Sequence, residues 1–374
     1  MDHLLYKRVK RDLIAMIARL EPHKRLPSRP DLAVRFQVTR TTIDRAISEL
    51  IGEGLLYSRD GSGTYVAEQQ TSANAGSSGE KAESDTPRRD RIESWGVLLP
   101  NIMHDTYPGI LRGIQDQADR HGVNVIVCNT DNIGERQTSS IRKLADSGVS
   151  GIVVVPALQG ELDRQPFDEL RERRIPLVFC NRGFEGVSAP RVVSNNFYGA
   201  YIAVKHLLSV GYRRIAYLSR PMYSVALERF QGYTSALTEA GVEVEESLIR
   251  YESSFDATDP GYQEALSVLQ LTNRPDAIFC FNDAIAHSVY KAAAELGLRP
   301  GVELGVIGYD NTSICERLDV RLSSVKFQTY EIGARAAELL IQLQSGEPVP
   351  PGKMIVLQPE LVIRASCPGP RTHY

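Results

Sequence analysis

The chain of 374 residues has little of what marks secreted, membrane-spanning or metal-dependent proteins. It has five cysteines, scattered without a C-x-x-C pair, and a single tryptophan. Three of the cysteines lie in apolar, strand-like runs, which predicts buried small side chains and neither disulfides nor metal ligands. No apolar run approaches the roughly 20 residues that span a bilayer. Because the first residues form a charged amphipathic segment and not a signal peptide, we expect a cytoplasmic protein without membrane contact.

The motifs of several enzyme classes are missing as well. No G-x-G-x-x-G follows the first strand predicted after residue 92, and the chain contains no G-x-x-x-x-G-K-S/T phosphate loop and no G-x-S-x-G elbow. His104 and Asp105 are adjacent, but neighbouring residues on a loop rarely take the geometry of a base and its orienting group. The sequence therefore predicts no enzymatic activity, no catalytic residue, no metal and no cofactor.

What the chain does contain is a change of composition that divides it into three parts. Residues 68–91 are rich in Ser, Gly, Ala and charged residues and have almost no aliphatic side chains. Such a segment cannot form a core and predicts a flexible linker. We therefore expect a small domain at residues 1–67 and a large domain at residues 92–374, which agrees with a prior of roughly 150 residues per domain.

The small domain has the pattern of a DNA-binding unit. Ser28 followed three residues later by Asp31 predicts a capped helix, and a second helix begins near Thr39. One face of this second helix is apolar at i, i+3, i+4 and i+7 spacing. The opposite face carries cationic and hydrogen-bonding side chains that can reach base edges in a major groove: Arg40, Thr41, Asp44, Arg45 and Ser48. Two short strands around Gly61-Ser62-Gly63 predict a wing that lies against phosphates or a minor groove.

The charge distribution agrees with DNA binding. Residues 1–66 carry 12 Lys and Arg against 8 Asp and Glu, whereas the remainder carries 31 against 38. A basic domain attached to an acidic one is suited to phosphate contact. A solvated face with a few arginines is the competing interpretation, and only the order of helix, turn, helix and hairpin favours DNA.

From Trp95 onward, apolar strand-like runs alternate with helical stretches. Nearly continuous apolar strands are typical of parallel sheets covered on both faces, so the pattern predicts a doubly wound α/β fold. About 270 residues are more than one sheet needs, and two similar lobes are expected. We place the first lobe at about 95–196 and 325–346, and the second at about 197–324 and 347–367.

Polar side chains follow the predicted strands at the points where the strands end. Ligands of such sheets bind beyond the carboxyl ends of the strands, where carboxylates, amides and a guanidinium can grip neighbouring hydroxyl groups. Asn and Asp at these places also cap helices and form turns, so each single residue has two interpretations. The candidate effector-binding residues are His104, Asp105, Tyr107, Asn129, Arg182, Asn195, Arg229, Asn282, Asp283, Asp310 and Phe327. Their convergence predicts a site for a small polyhydroxylated ligand.

Both domains resemble known families. The small domain closely resembles the winged helix-turn-helix of the GntR family in Pro27-Ser28, in Thr39-Arg40-Thr41-Thr42 and in the run from Gly61 to Val66. The large domain resembles the sugar-binding core of the LacI/GalR regulators, which is similar to periplasmic binding proteins. That resemblance is carried by Arg112-Gly113-Ile114, Arg229 with Gly232, Phe281-Asn282-Asp283, Val306 to Asp310, Leu322 to Lys326 and Pro359 to Arg364.

The resemblances imply an α/β two-lobed, periplasmic-binding-protein-like core attached to a small winged-helix α+β domain. The DNA-binding residues expected are Ser28, Arg29, Arg40, Thr41, Thr42, Asp44, Arg45, Arg59, Gly61, Gly63 and Thr64. In the LacI/GalR family, the positions of Arg229, Asn282 and Asp310 hold ligand hydroxyl groups. Asp44 stands where the GntR family has a second basic residue, and it is compatible either with accepting from a cytosine amine or with pairing to Arg40.

The function predicted is that of a homodimeric, sugar-responsive transcription repressor of a carbohydrate-utilisation operon. A small sugar such as L-arabinose, or a related sugar or sugar acid, is expected to release it from operator DNA. Arg182 is compatible with two roles: selecting an acidic sugar or binding a neighbouring carboxylate. A sugar-binding protein without a transcriptional role, and a regulator with a non-sugar effector or activator logic, remain as alternatives.

Overall fold

A computed structural model of the chain describes residues 2–17, 20–21, 23–52, 55–59, 63–67 and 93–368. The chain divides into two compact units, Met1–Pro87 and Arg88–Tyr374. The linker predicted at residues 68–91 lies outside the described residues. Within the described ranges, no helix is both long enough and apolar enough to cross a membrane.

The first unit contains three helices and a two-stranded antiparallel hairpin within its described residues. These elements are α1 (Asp2–Ile17), α2 (Arg29–Phe36), α3 (Arg40–Gly52), β1 (Leu56–Arg59) and β2 (Gly63–Val66). In the hairpin, Leu56 lies opposite Val66, and Arg59 lies opposite Gly63. The predicted order of helix, turn, helix and wing is therefore confirmed.

The core of the first unit is formed by apolar faces that the helical spacing predicts. Ile43, Ala46, Ile47 and Leu50 of α3 are fully buried. They pack in one cluster with apolar side chains of α1 and α2 and with Leu56 of the hairpin. Removing this apolar stripe from water is the main force that holds α3 against the other helices.

The second unit alternates strands and helices over its whole length. Up to residue 251 its elements are β3 (Ser94–Leu99), α4 (Tyr107–Arg120), β4 (Asn124–Asn129), α5 (Gly134–Ser147), β5 (Gly151–Val154), α6 (Gln165–Glu172), β6 (Leu177–Cys180), β7 (Arg191–Ser194), α7 (Asn196–Ser209), β8 (Ile215–Ser219), α8 (Ser224–Glu239), a 3₁₀ turn (Glu246–Leu248) and β9 (Ile249–Tyr251). The remaining elements are α9 (Tyr262–Leu269), β10 (Ala277–Cys280), α10 (Asp283–Glu295), β11 (Gly305–Tyr309), α11 (Ile314–Arg317), β12 (Ser323–Lys326), α12 (Thr329–Gln344), β13 (Met354–Leu357) and β14 (Glu360–Val362).

The strands form two sheets of six, and each sheet is the centre of one lobe. The first sheet has the order β13-β7-β6-β5-β3-β4, and the second has the order β14-β12-β11-β10-β8-β9. All neighbours are parallel except β12 and β14, which are antiparallel. The predicted doubly wound, two-lobed α/β fold is confirmed.

The chain passes between the lobes three times, after β7, β12 and β13. The third passage differs from the predicted lobe boundaries, which assigned all of 347–367 to the second lobe. Strand β13 pairs with β7 of the first sheet, with Met354 opposite Arg191. The short alternating pattern of β13 does not indicate which strand it pairs with. Pairing between distant segments depends on the whole fold and not on local sequence.

Strand β4 is less buried than its apolar sequence predicts. It is the edge strand of the first sheet, and Ile126 and Val127 are 39% and 41% exposed. By contrast, strands nearer the centre of the first sheet, such as β3 and β5, are buried on both faces. Of the three cysteines predicted to be buried in strand-like runs, Cys180 and Cys280 are buried, whereas Cys128, on this edge strand, is only partly buried. All five thiols are free.

Candidate effector cavity and DNA interface

A cavity of about 350 Å³ lies between the lobes, where the carboxyl ends of both sheets meet. The loops after β3, β4, β5 and β6 form one wall, and the loops after β8, β9, β10 and β11 form the other. Predicted residues that line it are His104, Tyr107, Arg182, Arg229, Asn282, Asp310 and Phe327. This volume lies in the range of small-molecule sites.

Arg229, on α8, has a partner at each of its three guanidinium nitrogens. It is 4% exposed, and its Nε donates to Asn196 Oδ1 at 3.1 Å. One terminal nitrogen donates to the carbonyl of Phe281, and the other lies 3.6 Å from Asp310 Oδ1. The guanidinium lies over the Tyr309 ring at 3.4 Å from its centroid. Because every neighbour restrains it, Arg229 is pre-organised as a planar donor.

Asp310 follows β11 in a conformation that non-glycine residues rarely adopt, with φ of 98°. Its backbone N–H donates to the carbonyl of Val325 at 2.8 Å, which fixes this strained turn. Burial raises the pKa of the carboxyl to about 7, although the Arg229 guanidinium acts in the opposite direction. Backbone strain and a displaced pKa at one residue are typical of a functional position.

Arg182, after β6, is buried and has no ionic partner among the described residues. Its Nε donates to the carbonyl of Pro156 at 2.7 Å, and a terminal nitrogen approaches Asn132 Oδ1 at 3.4 Å. It also faces the Tyr223 ring of the second lobe, 5.8 Å from the centroid. Among the described residues, Arg182 thus pairs with no carboxylate: its partners are a carbonyl, an amide and an aromatic ring.

Arg220, after β8, is a third guanidinium on the cavity wall, and sequence reasoning did not single it out. It donates to Glu252 Oε2 and to the carbonyl of Phe255, both at 2.6 Å. Glu252 is 5% exposed, and burial raises its pKa while the positive charge of Arg220 opposes the rise. The pair holds Arg220 beside the Phe255 ring, 5.3 Å from the centroid.

His104 lies on the loop after β3, in the first lobe. Its Nδ1 accepts a hydrogen bond from the Thr106 backbone N–H at 3.3 Å, which places the ring proton of the neutral form on Nε2. Burial lowers the pKa of the imidazole, Asp105 opposes this, and Arg220 lowers it further. The neutral imidazole offers one donor toward the cavity.

Four predicted effector residues do not line this cavity. Asp105 borders an adjoining cavity, Asn129 accepts from the Ile102 backbone N–H, and Asn195 caps α7 by accepting from the Tyr198 N–H. Asp283 is fully buried and accepts from Ser324 Oγ at 2.6 Å and from the Thr312 N–H at 2.6 Å. Asn195 and Asn129 have the capping and turn roles that were the competing interpretation, and Asp283 supports the loop that carries Asp310.

The aromatic residues of the wall were mostly missed. Tyr223, Phe255 and Phe281 line the cavity together with the predicted Tyr107 and Phe327. Such rings can cover the apolar face of a sugar. Phe281 ends the run AIFCF directly before Asn282, so its place at a strand end was available from the sequence, whereas Tyr223 and Phe255 lie on loops without a local signal.

On the first unit, the described contacts explain how α2 begins and where Asp44 lies. Ser28 Oγ accepts from the Asp31 N–H and donates to the Asp31 carboxylate at 2.5 Å, so Ser28 is the predicted N-cap. Arg29 lies 3.1 Å from Asp44 Oδ1, which links α2 to α3. Arg29 is thus one ion-pair partner of Asp44, and spacing along a single helix did not suggest it.

The structure describes only some of the other predicted DNA-binding residues. Thr42 lies in the first turn of α3, where its hydroxyl is 3.0 Å from that of Thr39, and Gly63 begins β2 with φ of 119°. Thr64 is 8% exposed because alternation along β2 turns its side chain inward, and its contact with DNA stays a prediction. Gly61 and the side chains of Arg40, Thr41, Arg45 and Arg59 lie outside the described part of the structure.

Comparison with known proteins agrees with both domains. Residues 5–66 match the family "Bacterial regulatory proteins, gntR family", and residues 204–367 match "Periplasmic binding protein-like domain". The chain is 27% identical over 368 residues to an arabinose metabolism transcriptional repressor of Geobacillus stearothermophilus, covering 96% of this chain and 97% of that protein. It is 33% identical over 248 residues to the HTH-type transcriptional repressor PurR of Vibrio atlanticus, covering 66% and 73%.

Solved structures are similar at the level of the fold. The transcriptional regulator CelR in complex with cellobiose has a TM-score of 0.66 and 25% identity, covering 88% of this chain and 92% of that one. A LacI family regulator of Enterococcus faecium with bound ribose has a TM-score of 0.65 and 25% identity, covering 75% and 100%.

A winged DNA-binding domain and a two-lobed core with a cavity at its strand ends define a ligand-responsive transcription regulator. The relatives matched are repressors and not enzymes. The chain belongs to the bacterial transcriptional repressors that combine a gntR-family DNA-binding domain with a periplasmic binding protein-like domain.

Proposed function

We propose that this regulator is a cytoplasmic repressor of a carbohydrate-utilisation operon that is released from its operator when a small sugar binds between the lobes. The observation that carries the proposal is the convergence of Arg229, Asp310 and Asn282 on one cavity. These side chains are held by neighbours in fixed orientations, as recognition of a polyhydroxylated ligand requires.

The proposed ligand contacts follow from the chemistry of each group. The Asp310 carboxylate accepts from two neighbouring hydroxyl groups, while Arg229 donates to a hydroxyl or ring oxygen. Asn282 uses its Oδ1 to cap α10, accepting from the Ile285 N–H at 3.0 Å, so its amide nitrogen is directed to the ligand. Phe255 and Phe327 cover apolar C–H faces, and His104, Tyr107 and Arg182 contact the ligand from the first lobe.

Binding between the lobes would favour the closed core, because the ligand contacts both walls at once. Two cross-lobe contacts lie at the same cleft: Gln159 Nε2 donates to Asp256 Oδ1 at 3.3 Å, and Arg182 faces Tyr223. A ligand that stabilises this arrangement changes the equilibrium only by its difference in affinity for the two states. Coupling of this kind is typically about 1–3 kcal/mol.

We further propose that the repressor acts as a homodimer whose two winged domains bind the half-sites of a near-palindromic operator. The exposed edge strand β4, with Ile126 and Val127, supports contact between two cores, since apolar edge strands are rarely left uncovered. DNA contacts are assigned to the opening of α2, to the outer face of α3 and to the wing.

Operator binding by the full-length protein, measured at fixed salt with a panel of pentoses, hexoses and sugar acids, tests the proposal. At least one sugar is expected to weaken operator binding. If no member of the panel binds or changes the affinity, the effector is not a sugar.

A further inference from the structure

The cavity contains a buried positive charge that the protein leaves uncompensated. Arg182 is 4% exposed, and its described partners are the neutral groups of Pro156, Asn132 and Tyr223. The other two guanidiniums of the wall differ: Arg229 is paired with Asp310, and Arg220 is paired with Glu252. A buried cation without a counter-ion is costly, and the cost is relieved when a ligand supplies the negative charge.

The remaining carboxylates of the wall cannot supply this charge. Asp131 is exposed and is paired with Arg136 on α5. Asp256 is exposed and accepts from Gln159. Their charges are hydrated or neutralised, so they do not offset a guanidinium that is out of contact with bulk water.

The orientation of Arg182 suits an anion between the lobes. Nε and one terminal nitrogen are used by Pro156 and Asn132, while the other terminal nitrogen has no described partner. The Tyr223 ring, from the second lobe, limits the side chain on one face. Arg220 adds a second positive charge on the facing lobe, and its field extends to His104 of the first lobe, whose imidazole pKa it lowers.

We infer that the effector carries an anionic group, a carboxylate or a phosphate, that binds to Arg182 in this cavity. The inference rests on the proposed function and narrows it from sugars in general to sugar acids or sugar phosphates. Guanidinium groups suit both oxyanions, since each presents coplanar oxygen acceptors.

Calorimetric titration of the full-length protein with matched pairs tests the inference: D-galactose and D-galacturonate, L-arabinose and L-arabinonate, D-glucose and D-glucose 6-phosphate. In at least one pair, the anionic member is expected to bind about tenfold or more tightly than its neutral partner, a difference of about 1.4 kcal/mol. Which pair responds distinguishes a carboxylate from a phosphate. Arg182→Gln is expected to remove most of this preference.

The matched control is Arg171→Gln on α6, in the same lobe, where the arginine is 76% exposed and outside the cavity. It should keep the wild-type preference. If carbohydrates bind but in every pair the neutral sugar binds as tightly as its anionic partner, the inference is overturned and the proposed function stands. A preference that survives Arg182→Gln has the same consequence. If no carbohydrate binds, both fail. If Arg182→Gln does not fold, the ratios of anionic to neutral affinity in the wild type still test the inference.

Discussion

At the scale of single residues, the cavity is organised by charged side chains that are out of contact with bulk water. Arg229 and Asp310 lie 3.6 Å apart at their nearest charged atoms, and both are almost fully buried. Removing one member of such a pair leaves an uncompensated charge, which costs about 3–5 kcal/mol. Substitutions here must therefore be chosen so that loss of ligand binding is not confused with loss of folding.

Arg229→Lys is expected to weaken effector binding while retaining the positive charge beside Asp310. A lysine cannot reproduce the planar fork that donates to Asn196, Phe281 and the ligand, so we expect a loss of about 1.5–3 kcal/mol in effector affinity, the value of a hydrogen bond to a charged group. Calorimetry with the effector found by the panel measures it. Arg299→Lys, at an exposed arginine of the same lobe, is the control and should bind like the wild type. Wild-type affinity in Arg229→Lys would contradict the assignment.

Asp310 predicts a pH dependence of stability. Burial raises its pKa from 3.8 to about 7; Arg229 opposes the rise, and the negative charges of Asp283 and Asp105 add to it. The folded state therefore holds this proton above the pH at which the unfolded chain releases it. The stabilisation is present below about pH 4 and is lost progressively as the pH rises through about 7.

Thermal unfolding of the wild type and of Asp310→Asn between pH 4 and 8 measures this effect. The stability of the wild type relative to the variant should fall up to about pH 7 and then become constant, because the amide introduced by the substitution cannot titrate whereas His104 titrates in both proteins. A constant difference over the whole range would mean that Asp310 is ionised throughout.

The sequence was a good guide to those site residues that directly follow a central strand. Asn282 and Asp310 stand at the ends of β10 and β11, where the geometry of parallel sheets brings side chains to one edge. Asn195 also follows a strand, but its side chain satisfies the first turn of α7 instead. Arg220 directly follows β8, so the same rule could have found it, whereas Tyr223 lies further along the loop and has no local signal.

At the scale of elements, each lobe contains a helix pair in unusually close contact. Helices α4 and α12 pack in the first lobe, and α7 and α8 pack in the second. A Cβ atom on Gly113 of α4 would lie 2.1 Å from the Tyr330 carbonyl oxygen, and one on Gly232 of α8 would lie 2.2 Å from the Phe197 carbonyl oxygen. Both lobes thus have a glycine at the contact between two helices. This agrees with two lobes of similar structure, as the repeated strand and helix pattern predicts.

Gly113→Ala is expected to destabilise the core domain. The alanine methyl group would meet backbone atoms that cannot move aside, and such overpacking costs about 1–3 kcal/mol, partly offset by the higher helix propensity of alanine, which is worth up to about 1 kcal/mol. Chemical unfolding gives the free energy. Gly352→Ala is the matched control, since nothing lies within 4 Å of its added Cβ and its φ is not in the left-handed region. Equal stability of the two variants would contradict the packing argument.

The proposed recognition element is α3, whose buried face is formed by Ile43, Ala46, Ile47 and Leu50. Its helical spacing was enough to predict the buried face, and hence that Arg45 belongs to the outer one. For the wing, the composition of the hairpin was not enough to predict which side chains are exposed. Alternation along β2 decides which residues face inward, and the side chain of Thr64 is one of them. Local periodicity therefore predicts which face of a helix or strand is buried, whereas contacts with DNA depend on how the whole domain docks.

Arg45→Ala is expected to reduce specific operator binding by about 1–3 kcal/mol if the arginine reads a guanine. Fluorescence anisotropy with operator and with unrelated DNA of equal length separates base reading from phosphate contact. Arg171→Ala, which removes the same charge from the core domain, should bind both DNAs like the wild type. A uniform loss on both DNAs for Arg45→Ala would make it a phosphate contact instead.

At the scale of the whole molecule, the two domains are joined by a segment whose composition predicts flexibility. In the proposed homodimer, coupling between cavity and DNA passes through the arrangement of the two cores and not through a rigid connection to the DNA-binding domain. The chain passes between the lobes three times, so the ligand cavity lies between two lobes that are joined at three points.

In the proposed function, effector and operator bind with opposing preferences to one conformational equilibrium. The most direct test is to measure operator affinity with and without saturating effector, and effector affinity with and without saturating operator, at one salt concentration. Each ligand is expected to weaken the binding of the other by the same factor, about 5- to 150-fold, because linkage is reciprocal. Independent binding of the two ligands, or mutual strengthening, would contradict it.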